Sequence, residues 1–161
     1  MPCFYSTIVN MRLTKEFYLN DAIYLAPRLL GKYLCKKTNG VVKKLRITET
    51  EIYYGEDDTA CHARSGKTDR TKTLYEEGGI AYVYLCYGMH NLFNVVAGKK
   101  GFPQGVLIRG IEGYNGPGRL TKHLGIDRSL NGVSLVTSNI IWLEDDGCLP
   151  KYQTTKRVGI D

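Results

Sequence analysis

Early in the chain the apolar positions recur at helical spacing: Ala22, Ile23, Ala26, Leu29 and Leu30. That spacing predicts a helix over 21–30, capped by Asn20 and ended by Gly31. Pro27 falls inside it and predicts a kink or a split into two short helices. The pattern then changes. Segments 32–36 and 41–53 are rich in Val, Ile, Thr and Tyr, and Asn39-Gly40 between them reads as a hairpin turn. A second hairpin is expected from 80–87 and 92–97, around Gly88-Met89-His90-Asn91. Residues 105–112 read as another strand. Gly116-Pro117-Gly118 opens a short helix that ends near Gly125. Segment 57–77 is polar, aperiodic and long for a connection, and such loops tend to carry function. Together these elements predict an α+β fold. One domain spans 1–161, a mainly antiparallel curved β-sheet flanked by helices, with 1–12 as a loose tail.

Composition narrows the class. With 161 residues, 43% hydrophobic and 24% charged, the chain can bury one sizeable core. No apolar run approaches the ~18–20 residues of a membrane span. The N-terminus lacks a basic segment followed by an apolar one, so a cytoplasmic protein is expected, without a membrane partner. The balance of 22 Lys and Arg against 16 Asp and Glu leaves a formal charge of +6. A basic surface favours a polyanion, nucleic acid before membrane. Cysteines at 3, 35, 61, 86 and 148 form no C-x-x-C pair. That argues against a disulfide framework and a zinc ribbon alike, and for structural thiols in a reducing compartment. Histidines 62, 90 and 123 have no metal-ligand spacing, so no metal site is expected.

Two strands carry candidate chemistry. Alternation along 46–54 puts Ile47, Glu49, Glu51 and Tyr53 on one face. The two carboxylates would lie ~6.6 Å apart along the strand. Such a pair can raise one pKa and make a general base, or it can be a solvated face paired with Lys and Arg. Arg109, among Val106, Leu107 and Ile108, needs an acid partner, and Glu49 or Glu51 is the natural one. Tyr82 and Tyr84 share a face, and Tyr87 and Met89 stand at the hairpin turn. A large side chain there can wedge between stacked bases or fold back over the sheet. Asn94, in an apolar strand, must bond either a backbone group or a ligand. His62 and Arg64 follow in the polar loop, with Lys67, Arg70 and Lys72 among hydroxyl residues that suit phosphate contacts or plain solvation. Gly116-Pro117-Gly118 offers free N–H groups to a phosphate, or simply starts a helix.

Taken in order, several segments are similar to the alkyladenine (3-methyladenine) DNA glycosylase family. They are Ile47-Thr48-Glu49-Thr50-Glu51-Ile52-Tyr53, Ala60-Cys61-His62-Ala63-Arg64, Tyr82-Val83-Tyr84-Leu85-Cys86-Tyr87-Gly88-Met89, Asn94-Val95-Val96, Val106-Leu107-Ile108-Arg109 and Gly116-Pro117-Gly118-Arg119-Leu120. The resemblance runs from about Phe17 to the end. It implies a monofunctional glycosylase of base excision repair, acting on damaged purines in double-stranded DNA without a cofactor or an obligate protein partner, as a monomer. By position, Glu51 would activate water and Arg109 would help hold it. Tyr53, His62, Tyr84 and Asn94 would form the base pocket, Asn94 standing where the family rejects the amino group of normal guanine. Tyr87 would be the wedge, with Met89 beside it, and Arg64, Lys67, Arg70 and Arg119 would meet DNA. An alkylated purine is cationic, and the rings of Tyr53 and Tyr84 would attract it by ~0.5–2 kcal/mol.

The chain departs from the family pattern in three places. It ends at Arg157-Val158-Gly159-Ile160-Asp161, where family members continue; Asn20 replaces a basic residue, and His90 an aromatic one. A short C-terminus admits an alternative, a weak or inactive module that binds damaged DNA. A nucleosidase acting on free small molecules through Glu49 and Glu51 is a third reading.

Overall fold

The fold was obtained as a computed structural model in which residues 10–159 are described. One open antiparallel sheet of eight strands forms its frame. The strands are β1 (Met11–Arg12), β2 (Tyr33–Thr38), β3 (Val41–Tyr54), β4 (Ala81–Cys86), β5 (His90–Val96), β6 (Gln104–Ile111), β7 (Tyr114–Asn115) and β8 (Ile141–Asp145). Their spatial order is β1-β8-β2-β3-β6-β5-β4, with β7 paired to β6. Three helices, α1 (Lys15–Tyr18), α2 (Ala22–Leu29) and α3 (Pro117–Leu124), complete the α+β domain.

The predicted turns form for the expected reason. Asn39 and Gly40 both take positive φ, +50° and +78°, the conformation that matches the twist of hairpin strands. Pro117 opens α3, and Gly125 closes it in the left-handed region. The second hairpin is tighter than expected. Cys86 pairs with His90, so β5 begins at residue 90 rather than 92. The reason is that Tyr87 and Gly88 both adopt positive φ and reverse the chain within three residues.

The cap of α2 is Asp21, whose carboxylate accepts from the Tyr24 N–H at 2.8 Å. Asn20 instead donates to the carbonyl of Phe17 and so closes the preceding turn. The helix runs through Pro27 without splitting. Its buried face, Ala22, Leu25, Ala26 and Leu29, is held in the core, which outweighs the single bond that proline forfeits. Thr50 donates to the Ala26 carbonyl at 2.9 Å, satisfying one of the acceptors orphaned at the helix end.

Residues 11 and 12 are no loose tail. They pair with Asp145 and Glu144 on β8, so the ladder that β8 offers orders this end of the chain. The remainder of the expected tail, 1–9, lies outside the described residues. Cys35, Cys61 and Cys86 are free thiols, but Cys148 is disulfide-bonded. The reading of thiols throughout fails there because spacing carries no information on which cysteines a fold brings within bonding distance. Among the described residues no helix is long and apolar enough to cross a membrane.

Strand β3 organises the site. Its first half pairs with β2 from Tyr33↔Arg46 to Thr38↔Val41, and its second half pairs with β6 from Ile47 to Tyr54. The main core joins Leu25, Leu29, Leu120 and Leu124 of the helices to Leu34, Phe93, Val106 and Ile108 of the sheet. A smaller cluster of Cys61, Ala63, Leu74, Tyr75, Tyr82 and Val96 anchors the long polar loop, and Tyr53 and Tyr84 pack against it.

Candidate active site

The β3–β6 ladder is irregular where the carboxylates lie. Ile47 pairs with Ile111, Glu49 with Gly110 and Thr50 with Ile108, so Thr48 and Arg109 have no partner in the ladder. Bulges of this kind re-aim side chains. They also break the simple alternation expected here. Ile47 is buried in the main core, whereas Glu49 and Glu51 both meet Arg109. Gly110 permits the close approach: a Cβ there would lie 2.8 Å from Thr48 Oγ1.

Arg109 bridges the two acids. Its Nε donates to Glu49 Oε1 at 3.1 Å, and its Nη1 stands 3.5 Å from Glu51 Oε2. Glu51 is 6% exposed. The Tyr53 hydroxyl donates to its other oxygen, Oε1. Burial, then the hydrogen bond and charge of Glu51, push the Tyr53 phenol far above its usual value, so it remains a donor. Both carboxylate oxygens are thus engaged, and the side chain is fixed from two strands.

Tyr53 also lines a cavity of about 40 Å³, together with His62, Tyr82, Tyr84, Asn94 and Gly105. His62 Nδ1 is 3.1 Å from the Tyr82 hydroxyl, and its ring centre is 4.3 Å from that of Tyr84. Burial, reinforced by the charge of Arg70, lowers the His62 pKa and so disfavours its protonated form. Burial pushes Tyr82 up to about 12. Asn94 is buried and donates to the Tyr82 carbonyl at 3.2 Å, so its amide is anchored to the backbone while lining the cavity. The space suits about one water molecule, so a purine enters only if the rings part.

On the other side of β3, segment 150–158 spans a groove against α2 and encloses about 560 Å³, with Glu49 and Glu51 on its wall. Arg157 fastens this segment. Its Nη1 donates to the Ile52 carbonyl at 3.1 Å and to Asp58 Oδ2 at 2.7 Å. The guanidinium lies 5.3 Å from the Tyr53 ring centre. Burial of Asp58 would raise its pKa, but Arg157 and the N–H groups of Tyr54 and Ala60 outweigh it and hold the carboxyl below its usual value.

The hairpin tip projects into solvent. Tyr87 is 92% exposed and Met89 71% exposed. Arg64, Lys67, Arg70 and Arg119 are all exposed. Lys67 and Arg70 are drawn toward rings, 5.8 Å from Tyr75 and 5.7 Å from Tyr84. Arg119 lies in the first turn of α3.

The structure therefore brings together Glu51, Arg109, Tyr53, His62, Tyr84 and Asn94, and leaves Tyr87, Met89, Arg64, Lys67 and Arg119 on the exterior. Sequence reasoning missed Tyr82, Asp58 and Arg157 as site residues. Tyr82 was signalled by its shared face with Tyr84; nothing local pointed to Asp58 or Arg157.

Comparison with known proteins identifies the family. The chain is similar to curated DNA glycosylases, each named "Putative 3-methyladenine DNA glycosylase". It is 38% identical to one from Psychrobacter cryohalolentis, over 97% of this chain and 88% of that protein. It is 40% identical to one from Clostridium perfringens (94% and 89% covered), and 45% identical to one from Borrelia garinii subsp. bavariensis (83% and 78% covered). Residues 16–115 and 112–161 match the family profile described as Methylpurine-DNA glycosylase (MPG), and the chain belongs to that family of N-glycosyl hydrolases.

Proposed function

We propose that the chain is a monofunctional DNA glycosylase of base excision repair. It flips alkylated or deaminated purines out of duplex DNA and hydrolyses the N-glycosidic bond. The substrate class comprises 3-methyladenine, 7-methylguanine, hypoxanthine and ethenoadenine. The observation that carries this reading is the buried Glu51 carboxylate, held by Arg109 and by Tyr53, which itself lines the aromatic cavity.

Extrusion is required because a duplex hides the bond to be cut. The exposed Tyr87 fills the gap as a wedge, with Met89 beside it. Arg64, Lys67 and Arg119 contact phosphates, which suits the +6 charge. The flipped base enters between Tyr53 on one side and His62 and Tyr84 on the other, parting the rings. Asn94, anchored on the Tyr82 carbonyl, acts against normal guanine through its amino group, whereas a cationic 7-methylguanine is still admitted.

Glu51 then takes a proton from a water molecule. The water oxygen bonds to C1′ as the glycosidic bond breaks, and its electrons leave with the purine. Arg109 holds the water and the carboxylate in place. A lyase route would need an activated amine in the pocket, and the family resemblance places none there.

The test is single-turnover excision on duplexes carrying hypoxanthine or ethenoadenine, and on methylated DNA. The native chain should release base. Glu51→Gln should bind the same duplex yet lose about 10²-fold or more in rate. Lesion binding without release by the native chain would leave only a binding module. Equal action on free nucleosides, insensitive to salt, would replace DNA as the substrate.

A further inference from the structure

Two of the cavity's aromatic walls, Tyr53 and Tyr84, each have a guanidinium near the ring. Arg157 lies 5.3 Å from the Tyr53 ring centre, and Arg70 lies 5.7 Å from that of Tyr84. The two cations are not equivalent. Arg157 is neutralised by Asp58 at 2.7 Å. Arg109 is likewise shared between Glu49 and Glu51. Arg70 has no carboxylate within ion-pair distance among the described residues; the neighbouring Asp69 lies toward Lys72 instead. Its charge is therefore uncompensated on the Tyr84–His62 side, where it already disfavours protonation of His62.

We propose that Arg70 is a specificity-determining residue, which restrains the pocket's uptake of cationic purines relative to neutral ones. This rests on the glycosylase reading above. A purine methylated at N3 or N7 arrives as a cation, whereas hypoxanthine and ethenoadenine arrive neutral. The ring faces attract a cation, but a guanidinium on the same ring competes for that attraction and repels the incoming charge. Arg109 is paired with Glu49 and Glu51, and Arg157 with Asp58, so replacing Arg70 removes a cation not held in an ion pair among the described residues and favours the cationic base. Phosphate contact alone would not distinguish the two lesion classes, because both occupy the same backbone.

The experiment compares hypoxanthine and 7-methylguanine in one duplex sequence. Excision is measured at saturating enzyme by the native chain, Arg70→Gln and Arg70→Lys. Saturation removes differences in DNA affinity. In Arg70→Gln the ratio of 7-methylguanine to hypoxanthine rates should rise about threefold or more. Arg70→Lys, which keeps the charge, should stay near the native ratio. A ratio unchanged in Arg70→Gln, with both rates altered by one factor, overturns the inference and leaves Arg70 as a DNA contact. Release of neither base by the native chain overturns the glycosylase reading itself, and the proposal with it.

Discussion

The Tyr53 hydroxyl donates to Oε1 of Glu51, two residues earlier on the same strand, while Arg109 approaches Oε2 from the neighbouring strand. One carboxylate is thereby held from both ends of its oxygen pair. Tyr53→Phe removes a single donor and leaves the ring. Loss of a hydrogen bond to a charged group is worth ~1.5–3 kcal/mol, so excision should fall about 10-fold or more. Because burial and Glu51 raise the Tyr53 pKa well above its ordinary 10.0, native activity should not decline through that group at pH 9–10 (about its usual titration range). A pH–rate profile of both proteins checks this.

Asp58 and Arg157 join the polar loop to the C-terminal segment across 99 positions of sequence. Both side chains are largely buried, at 10% and 28% exposed. Asp58→Asn should destabilise the protein by about 1–2 kcal/mol, and the double variant with Arg157→Gln should cost less than the sum of the two singles. The folded-state pKa of Asp58 lies below its ordinary 3.8. The pair's stabilisation is therefore complete above about pH 4–5, and is lost as pH falls through the lowered folded value. Urea midpoints at pH 7 and pH 3 should show the variant's deficit shrinking at the lower pH.

Tyr87 holds φ at +52°, a left-handed conformation costly for a bulky side chain. It stands at a solvent-exposed tip, where it contributes little to packing. Tyr87→Gly should raise stability by about 1 kcal/mol, read as a higher thermal midpoint. Excision from duplex DNA should nevertheless fall, with little change on single-stranded lesions. Equal losses on both substrates would mean that Tyr87 is no wedge.

Gly78 is placed by packing. A Cβ there would lie 2.1 Å from the Tyr18 carbonyl oxygen and 2.9 Å from the Gly98 nitrogen. Those two atoms are themselves hydrogen-bonded at 2.9 Å. Gly78→Ala must separate them, and should destabilise by about 2–4 kcal/mol. Chemical denaturation measures the effect.

The limits of sequence reading show in particular residues. The Asn39-Gly40 turn, the helix between Gly116 and Gly125, and the strand carrying Glu49, Glu51 and Tyr53 were legible, because each rests on conformational preferences of adjacent residues. Strand β8 escaped notice, as did the pairing of Met11 and Arg12 upon it. A two-residue strand has no period of its own; it exists because a partner edge is there. The expected common face of Ile47 and Glu51 failed for a similar reason, since the bulge that separates them belongs to the pairing of β3 with β6.

By itself, the sequence determined the types of element, two of the turns, family membership and the residue kinds available for chemistry. Period, positive-φ preference and motif order are carried by neighbours along the chain. Only the tertiary structure decided that Arg109 bridges Glu49 and Glu51, that Arg157 reaches Asp58, and that Arg70 stands uncompensated beside Tyr84. These relationships join positions about 60 to 99 residues apart or, for Arg70 and Tyr84, depend on the path of a loop. Strand pairing and burial set their geometry, and the electrostatic character of each group follows from that geometry.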